Sequence, residues 1–319
     1  MELENKIRIK QMRKECSKQG WALLIYLVVF YASSIVAMIV EELVREYFAR
    51  LNGVENAPSN SEYAWGYFLA IAIGLILLLI WKKPSFVAHS IFQKGRPMHV
   101  DSFVLLLILF VGVQGLTSLG LMITETVLNS YGLSIMEGAQ SVSGDTEDFM
   151  MFLYVSVGAP IAEELLFRGV LLRPLEKMGK RFAVVVTAIL FGLFHGNIVQ
   201  APFATIVGLV LGYVAVEYSI GWAMVLHMFN NMIFADTIPR LVPGVYGNIL
   251  SFVLMMGCLI ASVVILIIRR KDIGTYNRYY PNERFCWRAF FSAPGMIAFA
   301  VAIAGLMVLS ITSMITPLS

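Results

Sequence analysis

Two adjacent carboxylates in an apolar stretch are the residues of this sequence with the clearest chemical potential. Glu163 and Glu164 follow Pro160 within a run of hydrophobic and small residues. Glu164 and Arg168 are four residues apart with the acid first, which is the order that favours an ion pair on a helix. Glu163 then points about 100° away around the helix and has no local partner. An unpaired carboxylate at such a depth suits a general base or acid. The alternative is that both glutamates belong to a polar network between helices.

Two histidines lie in later apolar runs of the chain. His195 follows Phe191 by four residues, and His227 precedes Asn231 by four, so each pair shares a helix face. A lone histidine in a membrane helix more often serves packing. Two histidines, an asparagine and a glutamate pair on neighbouring runs favour a joint site.

The composition requires these residues to lie in a membrane protein. Of 319 residues, 58% are hydrophobic and 14% charged, whereas a soluble domain has about 25% charged residues. A soluble enzyme, a disordered chain and a collagen-like fibre are excluded, because one water-soluble core cannot hide so much apolar surface. We predict an all-α fold, a polytopic bundle of transmembrane helices. The net charge of +3 gives no indication of nucleic-acid binding.

Nine apolar runs approach the length of about 20 residues that a helix needs to cross a bilayer. The fifth to seventh runs are short, closely spaced and rich in polar residues. We predict eight or nine spans, depending on whether the last run crosses the membrane or re-enters it. The runs cover about 21–41, 64–81, 102–128, 149–172, 182–199, 201–218, 222–236, 248–268 and 290–313.

The basic residues indicate the orientation of the bundle. With the N-terminus in the cytoplasm, all but three of the 24 Lys and Arg residues fall in cytoplasmic segments. The exceptions are Arg45, Arg50 and Arg240. Because positive charge marks cytoplasmic loops, we predict a cytoplasmic N-terminus. Nine spans would place the C-terminus outside.

The remaining acidic and small residues of the spans have simpler interpretations. Glu125 and Glu217 lie near span ends, and we interpret both as solvated helix ends. Gly208 and Gly212 form a GxxxG pattern, which allows close helix packing but is weak evidence by itself.

The polar residues of the apolar runs resemble the motif set of a known family. The order EExxxR (163–168), FxxxH (191–195) and HxxxN (227–231) is similar to that of the CAAX-protease and bacteriocin-processing (CPBP) family of intramembrane endopeptidases, which includes the type 2 CAAX prenyl endopeptidase. All three motifs are complete and in order. The resemblance covers roughly residues 149–235.

The resemblance implies hydrolysis of peptide bonds in membrane-associated peptides or proteins, of the CAAX type or the bacteriocin and pheromone type. Carried over by position, Glu163 corresponds to the residue that activates water, assisted by His195. His227 and Asn231 correspond to the groups that stabilise the oxyanion, and Glu164 and Arg168 to supporting residues. These roles suit amide hydrolysis, which needs an activated water and donors aimed at the developing negative charge.

The sequence leaves the use of a metal open. No cofactor is required if Glu163 activates water directly. The alternative is zinc or another divalent ion held by Glu163, His195 and His227, which would lower the pKa of a bound water. The chain lacks the HExxH motif of the zincins. The metal-free reading is slightly favoured.

Two other functions remain compatible with the motifs. The first is a proton- or ion-coupled transporter, in which Glu163 and the histidines relay ions, although no inverted repeat is visible. The second is a non-catalytic immunity or scaffold protein of the same fold. We expect a multi-pass protein of the cell membrane with one domain over 1–319, a catalytic core at about 149–235 and accessory spans at about 21–128 and 248–313. The oligomeric state is not indicated.

Overall fold

The computed structural model describes residues 2–52, 64–82, 84–143, 149–233, 238–242 and 244–317. Nearly all of these residues are helical, which confirms the prediction of an all-α fold. The seventh predicted span and the predicted catalytic core both end in residues 234–236, which lie outside the described ranges.

The helices, in chain order, are α1 (Glu2–Leu51), α2 (Ala64–Trp81), α3 (Pro84–Phe86), α4 (Val100–Asn129), α5 (Met136–Ser143), α6 (Phe149–Leu153), α7 (Ala159–Glu164), α8 (Leu172–Leu175), α9 (Lys180–Phe194), α10 (Gln200–Glu217), α11 (Ile220–Met232), α12 (Ile238–Leu241), α13 (Val245–Tyr279), α14 (Cys286–Phe291) and α15 (Pro294–Met314). Short π-helical segments cover Val87–Ile91, Tyr154–Gly158 and Leu165–Leu171, and a 3₁₀ turn covers Glu176–Met178. Two short strands, β1 (Leu133–Ser134) and β2 (Thr316–Pro317), pair antiparallel.

Six helices of the described residues are long and apolar enough to cross a membrane, so the chain is an integral membrane protein. They are α1, α4, α10, α13, α15 and the continuous helix Phe149–Met178, here called the composite helix. The helices α9 and α11 have 15 and 13 residues, or about 22 and 20 Å, which is less than a hydrocarbon core of about 30 Å. The predicted count of eight or nine spans is therefore not confirmed.

Local signals explain why α9 and α11 are short. The helix α9 stops because Gly196 adopts a positive φ of 66°, a conformation that commonly ends helices. The helix α11 starts at Ser219, whose hydroxyl accepts a hydrogen bond from the Trp222 backbone N–H at 3.2 Å. Serine is a favoured residue at this capping position.

The composite helix departs from α-helical geometry on both sides of α7. Pro160 has no N–H to donate to the carbonyl one turn earlier, so an unbroken α-helix cannot continue through it. The chain adopts π geometry just before, and the Ala159 N–H reaches back five residues to the Tyr154 carbonyl. The π-helical segment Leu165–Leu171 follows Glu164 directly. Such segments in α-helices are frequent at functional sites.

The core lies around the composite helix, α9, α10 and α11. More than half of the most apolar stretch of α10 is buried, against 6% for α13. Phe167, Phe182 and Leu211 are fully buried there. The composite helix and α10 are therefore central, whereas most of the surface of α13 is left for lipid.

The segments predicted to be cytoplasmic meet at one end of the bundle, here called the basic end. Glu217 is 8% exposed and forms ion pairs with Lys180 at 3.0 Å and Arg96 at 3.1 Å. The Tyr276 hydroxyl donates to the same carboxylate at 2.7 Å. The interpretation of Glu217 as a solvated helix end was wrong, because its carboxylate joins three separate segments.

The opposite end of the bundle is joined by the two strands. Leu133 pairs with Pro317 and Ser134 with Thr316. Glu125, at the end of α4, accepts hydrogen bonds from the Ser134 hydroxyl at 2.8 Å and the backbone N–H of residue 135 at 2.9 Å. The carboxylate of Glu125 therefore holds the turn that leads into β1.

Candidate active site

The predicted ion pair between Glu164 and Arg168 lies at the centre of the composite helix. Arg168 Nη1 donates to Glu164 Oε1 at 2.9 Å, and neither side chain is exposed. Arg168 Nη2 also donates to the Gly208 carbonyl at 3.3 Å. The guanidinium lies 4.4 Å from the centre of the Phe191 ring, a distance suited to a cation–π contact. Arg168 therefore connects the composite helix to both α9 and α10.

The imidazole of His227 reaches both glutamates from α11. Its Nδ1 lies 3.1 Å from Glu164 Oε1, which is hydrogen-bond distance. Its Nε2 lies 3.8 Å from Glu163 Oε2, too far for a direct hydrogen bond. The ring is therefore fixed on one side by a buried carboxylate and presents its other nitrogen to the second.

Glu163 differs from its neighbour in being accessible. Its side chain is 26% exposed, whereas that of Glu164 is fully buried. Tyr26 on α1 and Tyr154 on the composite helix lie close enough to experience the charge of the Glu163 carboxylate. Of the two adjacent acids, Glu163 is the one whose side chain is not fully enclosed by the protein.

His195 directly follows the last residue of α9 as its C-cap and precedes Gly196. Its Nδ1 is 2.9 Å from the Phe191 carbonyl, an arrangement that requires a proton on Nδ1 and leaves Nε2 free to accept. The Phe191 ring lies 5.0 Å from the His195 ring and 6.1 Å from the His227 ring. Phe191 thus contacts both histidines.

Asn231 lies on α11, one turn beyond His227. Its side-chain amide donates to the Val155 carbonyl at 3.0 Å, in the π-helical segment Tyr154–Gly158. The amide of the adjacent Asn230, which is buried, donates to Asn231 Oδ1 at 3.3 Å. Asn231 therefore ties α11 to the composite helix about two turns before the glutamates.

The small residues near the site allow α9 and α10 to approach closely. A Cβ at Gly208 would lie 2.9 Å from the Ala188 Cα, and one at Gly212 would lie 3.1 Å from a Val184 methyl. A Cβ at Gly192 would collide with Thr205 and the Ala201 carbonyl. The GxxxG pattern of α10 therefore packs inside the protein, against α9.

The structure does not bring together the three residues named as potential zinc ligands. Among the described residues, no three His, Cys, Asp or Glu side chains are arranged to hold a metal ion. Glu163 and His227 are neighbours, but His195 has its polar contact with the Phe191 carbonyl. The residues present do not fit a site with two histidines and one carboxylate.

Three polar contributors were not singled out from the sequence. They are Tyr26, whose ring packs against Phe194, Tyr154, whose ring packs against Tyr67 and Phe68, and Asn230, which supports Asn231. Each stands in an apolar helix where a polar side chain needs a partner, and this was the only signal that could have identified them.

The comparison with known families matches the part of the chain that holds the two glutamates, Arg168, both histidines and Asn231. Residues 145–233 match the family model described as "Type II CAAX prenyl endopeptidase Rce1-like". The match confirms the resemblance that the motifs indicated, and it points to protease chemistry in this segment. No curated protein and no solved structure matched the chain.

Proposed function

We propose that this protein is an intramembrane endopeptidase that hydrolyses peptide bonds of membrane-associated substrates. The observation that carries the proposal is the position of His227, with one ring nitrogen 3.1 Å from the buried Glu164 and the other 3.8 Å from the accessible Glu163. The family match over residues 145–233 supports the same reaction class.

Glu163 acts as the general base in this proposal. Its partial exposure allows water to approach the carboxylate, and a positioned carboxylate can remove a proton from water as it attacks a carbonyl carbon. The gap of 3.8 Å to His227 Nε2 leaves room beside it for a water that contacts both groups. Attack from this position forms a tetrahedral oxyanion next to the imidazole. As the C–N bond then breaks, the proton taken up by Glu163 passes to the amide nitrogen, so that the amine leaves and the carboxylic acid remains.

The protonation of His227 follows from its contact with Glu164. An ionised carboxylate only accepts hydrogen bonds, so His227 Nδ1 donates to Glu164 Oε1. A neutral His227 then carries no proton on Nε2, and Nε2 donates to an oxyanion only when the ring is an imidazolium. Glu164, paired with Arg168, can support that charge. Glu164 and Arg168 are thus positioning residues.

His195 and Asn231 are the remaining two residues with a role in the proposed reaction. His195 Nε2 is available as an acceptor because Nδ1 faces the Phe191 carbonyl, which suits assistance in proton transfer. Asn231 contributes to oxyanion stabilisation in this proposal, and its amide is already fixed by Val155 and Asn230.

The proposal includes the organisation of the chain. Residues 149–235 would form the catalytic core of one membrane domain, and the flanking helices at 21–128 and 248–313 would support it within the cell membrane. Substrates would be membrane-associated peptides, either prenylated CAAX-type C-termini or peptides of the bacteriocin and pheromone type.

The test is cleavage of a substrate panel by purified full-length protein in detergent. The panel contains prenylated CAAX peptides and membrane-anchored peptides without a lipid, and mass spectrometry identifies the products. We expect Glu163→Gln to lower kcat by about 100-fold or more, the usual contribution of a general base. Glu46→Gln makes the same change at an exposed position of α1 and should cleave normally.

Two further arms make the assay decisive. The variant His195→Ala should also lose most of the activity. A chelator should leave wild-type cleavage unchanged, because the described residues hold no group of side chains arranged to bind a metal ion. Cleavage by Glu163→Gln at the wild-type rate, with both proteins equally folded, would contradict the proposed role of Glu163.

A further inference from the structure

A cavity of about 500 Å³ lies at the basic end of the bundle, apart from the candidate active site. It is lined by Lys18, Trp81, Lys82, Ser85, Phe86 and Ser90, with Glu15 at its wall. Lys18 precedes Tyr26 on α1 by eight residues, or about 12 Å along the helix. Because the Tyr26 ring packs against that of Phe194, the residue before His195, the cavity lies well to the basic side of the candidate active site.

The cavity is electropositive. Within the described part of the chain, neither Lys18 nor Lys82 forms an ion pair with a carboxylate, and Glu15 instead accepts a hydrogen bond from Gln19. The Lys82 ammonium lies 5.0 Å from the Trp81 ring centre and 5.2 Å from that of Phe86. Burial lowers the pKa of Lys82 and the charge of Lys18 acts in the same direction, although Glu15 opposes both. A bound anion would offset the burial that disfavours the charged form of Lys82.

Apolar surface adjoins the cavity on both of the helices that end there. On α1, Trp21, Ile25 and Val28 continue the exposed face of Lys18 away from the basic end, and they are 45%, 54% and 60% exposed. On α2, Leu77 and Ile80, 47% and 75% exposed, precede Lys82. Each lysine therefore ends an apolar stripe that faces the bilayer.

We propose that this cavity binds the headgroup of an anionic phospholipid. Lys18 and Lys82 contact the phosphate, and the hydroxyl groups of Ser85 and Ser90 supply neutral donors. The acyl chains follow the two apolar stripes along α1 and α2. Polar groups in the cavity and apolar groups beside it match the two halves of a phospholipid, whereas a free anion would use the cavity alone. The site is independent of the proposed proteolysis.

The test measures lipid binding to the delipidated full-length protein in detergent. Dioleoylphosphatidylglycerol, dioleoylphosphatidylcholine and inorganic phosphate are titrated in separate arms, with native mass spectrometry and the apparent Tm as readouts. We expect phosphatidylglycerol alone to bind and to raise the Tm. The double variant Lys18→Gln, Lys82→Gln should bind it about 10-fold more weakly or worse. The control is the double variant Lys14→Gln, Lys94→Gln. It makes the same charge change at exposed positions of the basic end that lie outside the cavity, and it should bind phosphatidylglycerol normally.

Two more variants separate loss of the site from loss of the fold. Ser90→Trp fills the cavity without changing its charge and should also abolish lipid binding. The double variant Lys18→Arg, Lys82→Arg keeps both charges and should retain lipid binding. Equal weakening in the two Gln double variants would overturn the proposal, as would equal binding of phosphatidylcholine. A Tm increase with inorganic phosphate that matched the increase with phosphatidylglycerol would also overturn it.

Discussion

At the scale of single residues, the site concentrates polar atoms that the described residues leave without hydrogen-bond partners. Glu164 Oε2, Arg168 Nε, Asn230 Oδ1 and Ser156 Oγ are all buried and unpaired within that part of the chain. Each such atom costs stability, and most buried polar atoms in proteins are paired. Glu164 and Arg168 belong to the same cluster as His227, so this cluster is held together at a cost in stability.

The Glu164–Arg168 pair gives the first prediction at this scale. Arg168→Met leaves a buried carboxylate without its cation, and we expect this variant to lose about 3–5 kcal/mol of stability. Glu164→Leu combined with Arg168→Met removes both charges and should recover most of that loss, because buried pairs are often replaceable by apolar residues. Its kcat should stay low with little change in KM, because His227 has lost the carboxylate that orients it. Thermal unfolding and steady-state cleavage check both parts.

A matched pair on the protein surface provides the control. Glu46 and Arg50 have the same spacing on α1, with side chains 52% and 82% exposed. Glu46→Leu and Arg50→Met, alone or together, should change stability by less than about 1 kcal/mol and leave cleavage intact. Full activity in the Glu164→Leu, Arg168→Met variant would show that Glu164 does not position His227.

The residue-scale predictions from sequence succeeded where the interaction was local. The Glu164–Arg168 pair follows from helical spacing, and so does the sharing of a helix face by Phe191 and His195. The contact of His227 with both glutamates joins residues more than 60 positions apart. No local spacing predicts it, because it depends on how α11 packs against the composite helix.

At the scale of helices, the fit between α9 and α10 determines where Phe191 and His195 lie. Gly192→Ala should force these helices apart, because the new Cβ meets the backbone carbonyl of Ala201 and cannot be relieved by a side-chain rotation. We expect a loss of about 1–3 kcal/mol together with a marked fall in cleavage, measured as Tm and kcat.

The same substitution elsewhere isolates the packing effect. A Cβ at Gly257 on α13 would have no neighbouring atom within 4 Å among the described residues. Gly257→Ala should therefore be neutral or slightly stabilising, because alanine favours a helix over glycine. An equal loss of Tm in the two variants would indicate a general effect of alanine in this bundle and not a collision between α9 and α10.

Hydropathy predicted the apolar part of each long helix among the described residues, but not the polar extensions of α1 and α13 or the change of geometry around the glutamates. Apolar length is a strong signal because a helix must satisfy all its backbone groups in lipid. The π-helical segments on either side of α7 carry no comparable signal, although Pro160 marks a point where α-helical bonding is interrupted. Helix length was overestimated for α9, where Gly196 ends the helix before the apolar run does.

At the scale of the whole molecule, the segments predicted to be cytoplasmic meet at one end of the bundle, and β1 and β2 pair at the other. The basic end joins loops from four parts of the chain, including the contact of Arg13 with the Ser292 carbonyl at 2.8 Å and the cluster around Glu217. Such a convergence is expected if these segments share one side of the membrane, as the distribution of basic residues predicted. It supports the predicted grouping of these segments on one side of the membrane, but not the choice of the cytoplasmic side, which rests on the charge distribution.

The helix α15 connects these two ends, and this leads to a prediction about the C-terminus. The Gly295 N–H donates to the Ser17 hydroxyl at the basic end at 3.1 Å, and β2 pairs with β1 at the other end. With 21 residues, α15 is about 31 Å long, enough to cross the hydrocarbon core. We therefore expect the last run to cross the membrane completely and the C-terminus to lie outside, as a nine-run topology requires.

Labelling of single cysteines in intact cells with a membrane-impermeant maleimide tests this topology. Ser130→Cys and Pro317→Cys, at the β1–β2 end, should react in intact cells, whereas Lys94→Cys, at the basic end, should react only after permeabilisation. The background replaces the native Cys16, Cys258 and Cys286, and retained cleavage shows that each variant is folded. If Pro317→Cys behaved like Lys94→Cys, the last run would re-enter, and the contact between β1 and β2 could not exist in the membrane. If all three positions reversed, the charge-based orientation would be wrong although the bundle could stand.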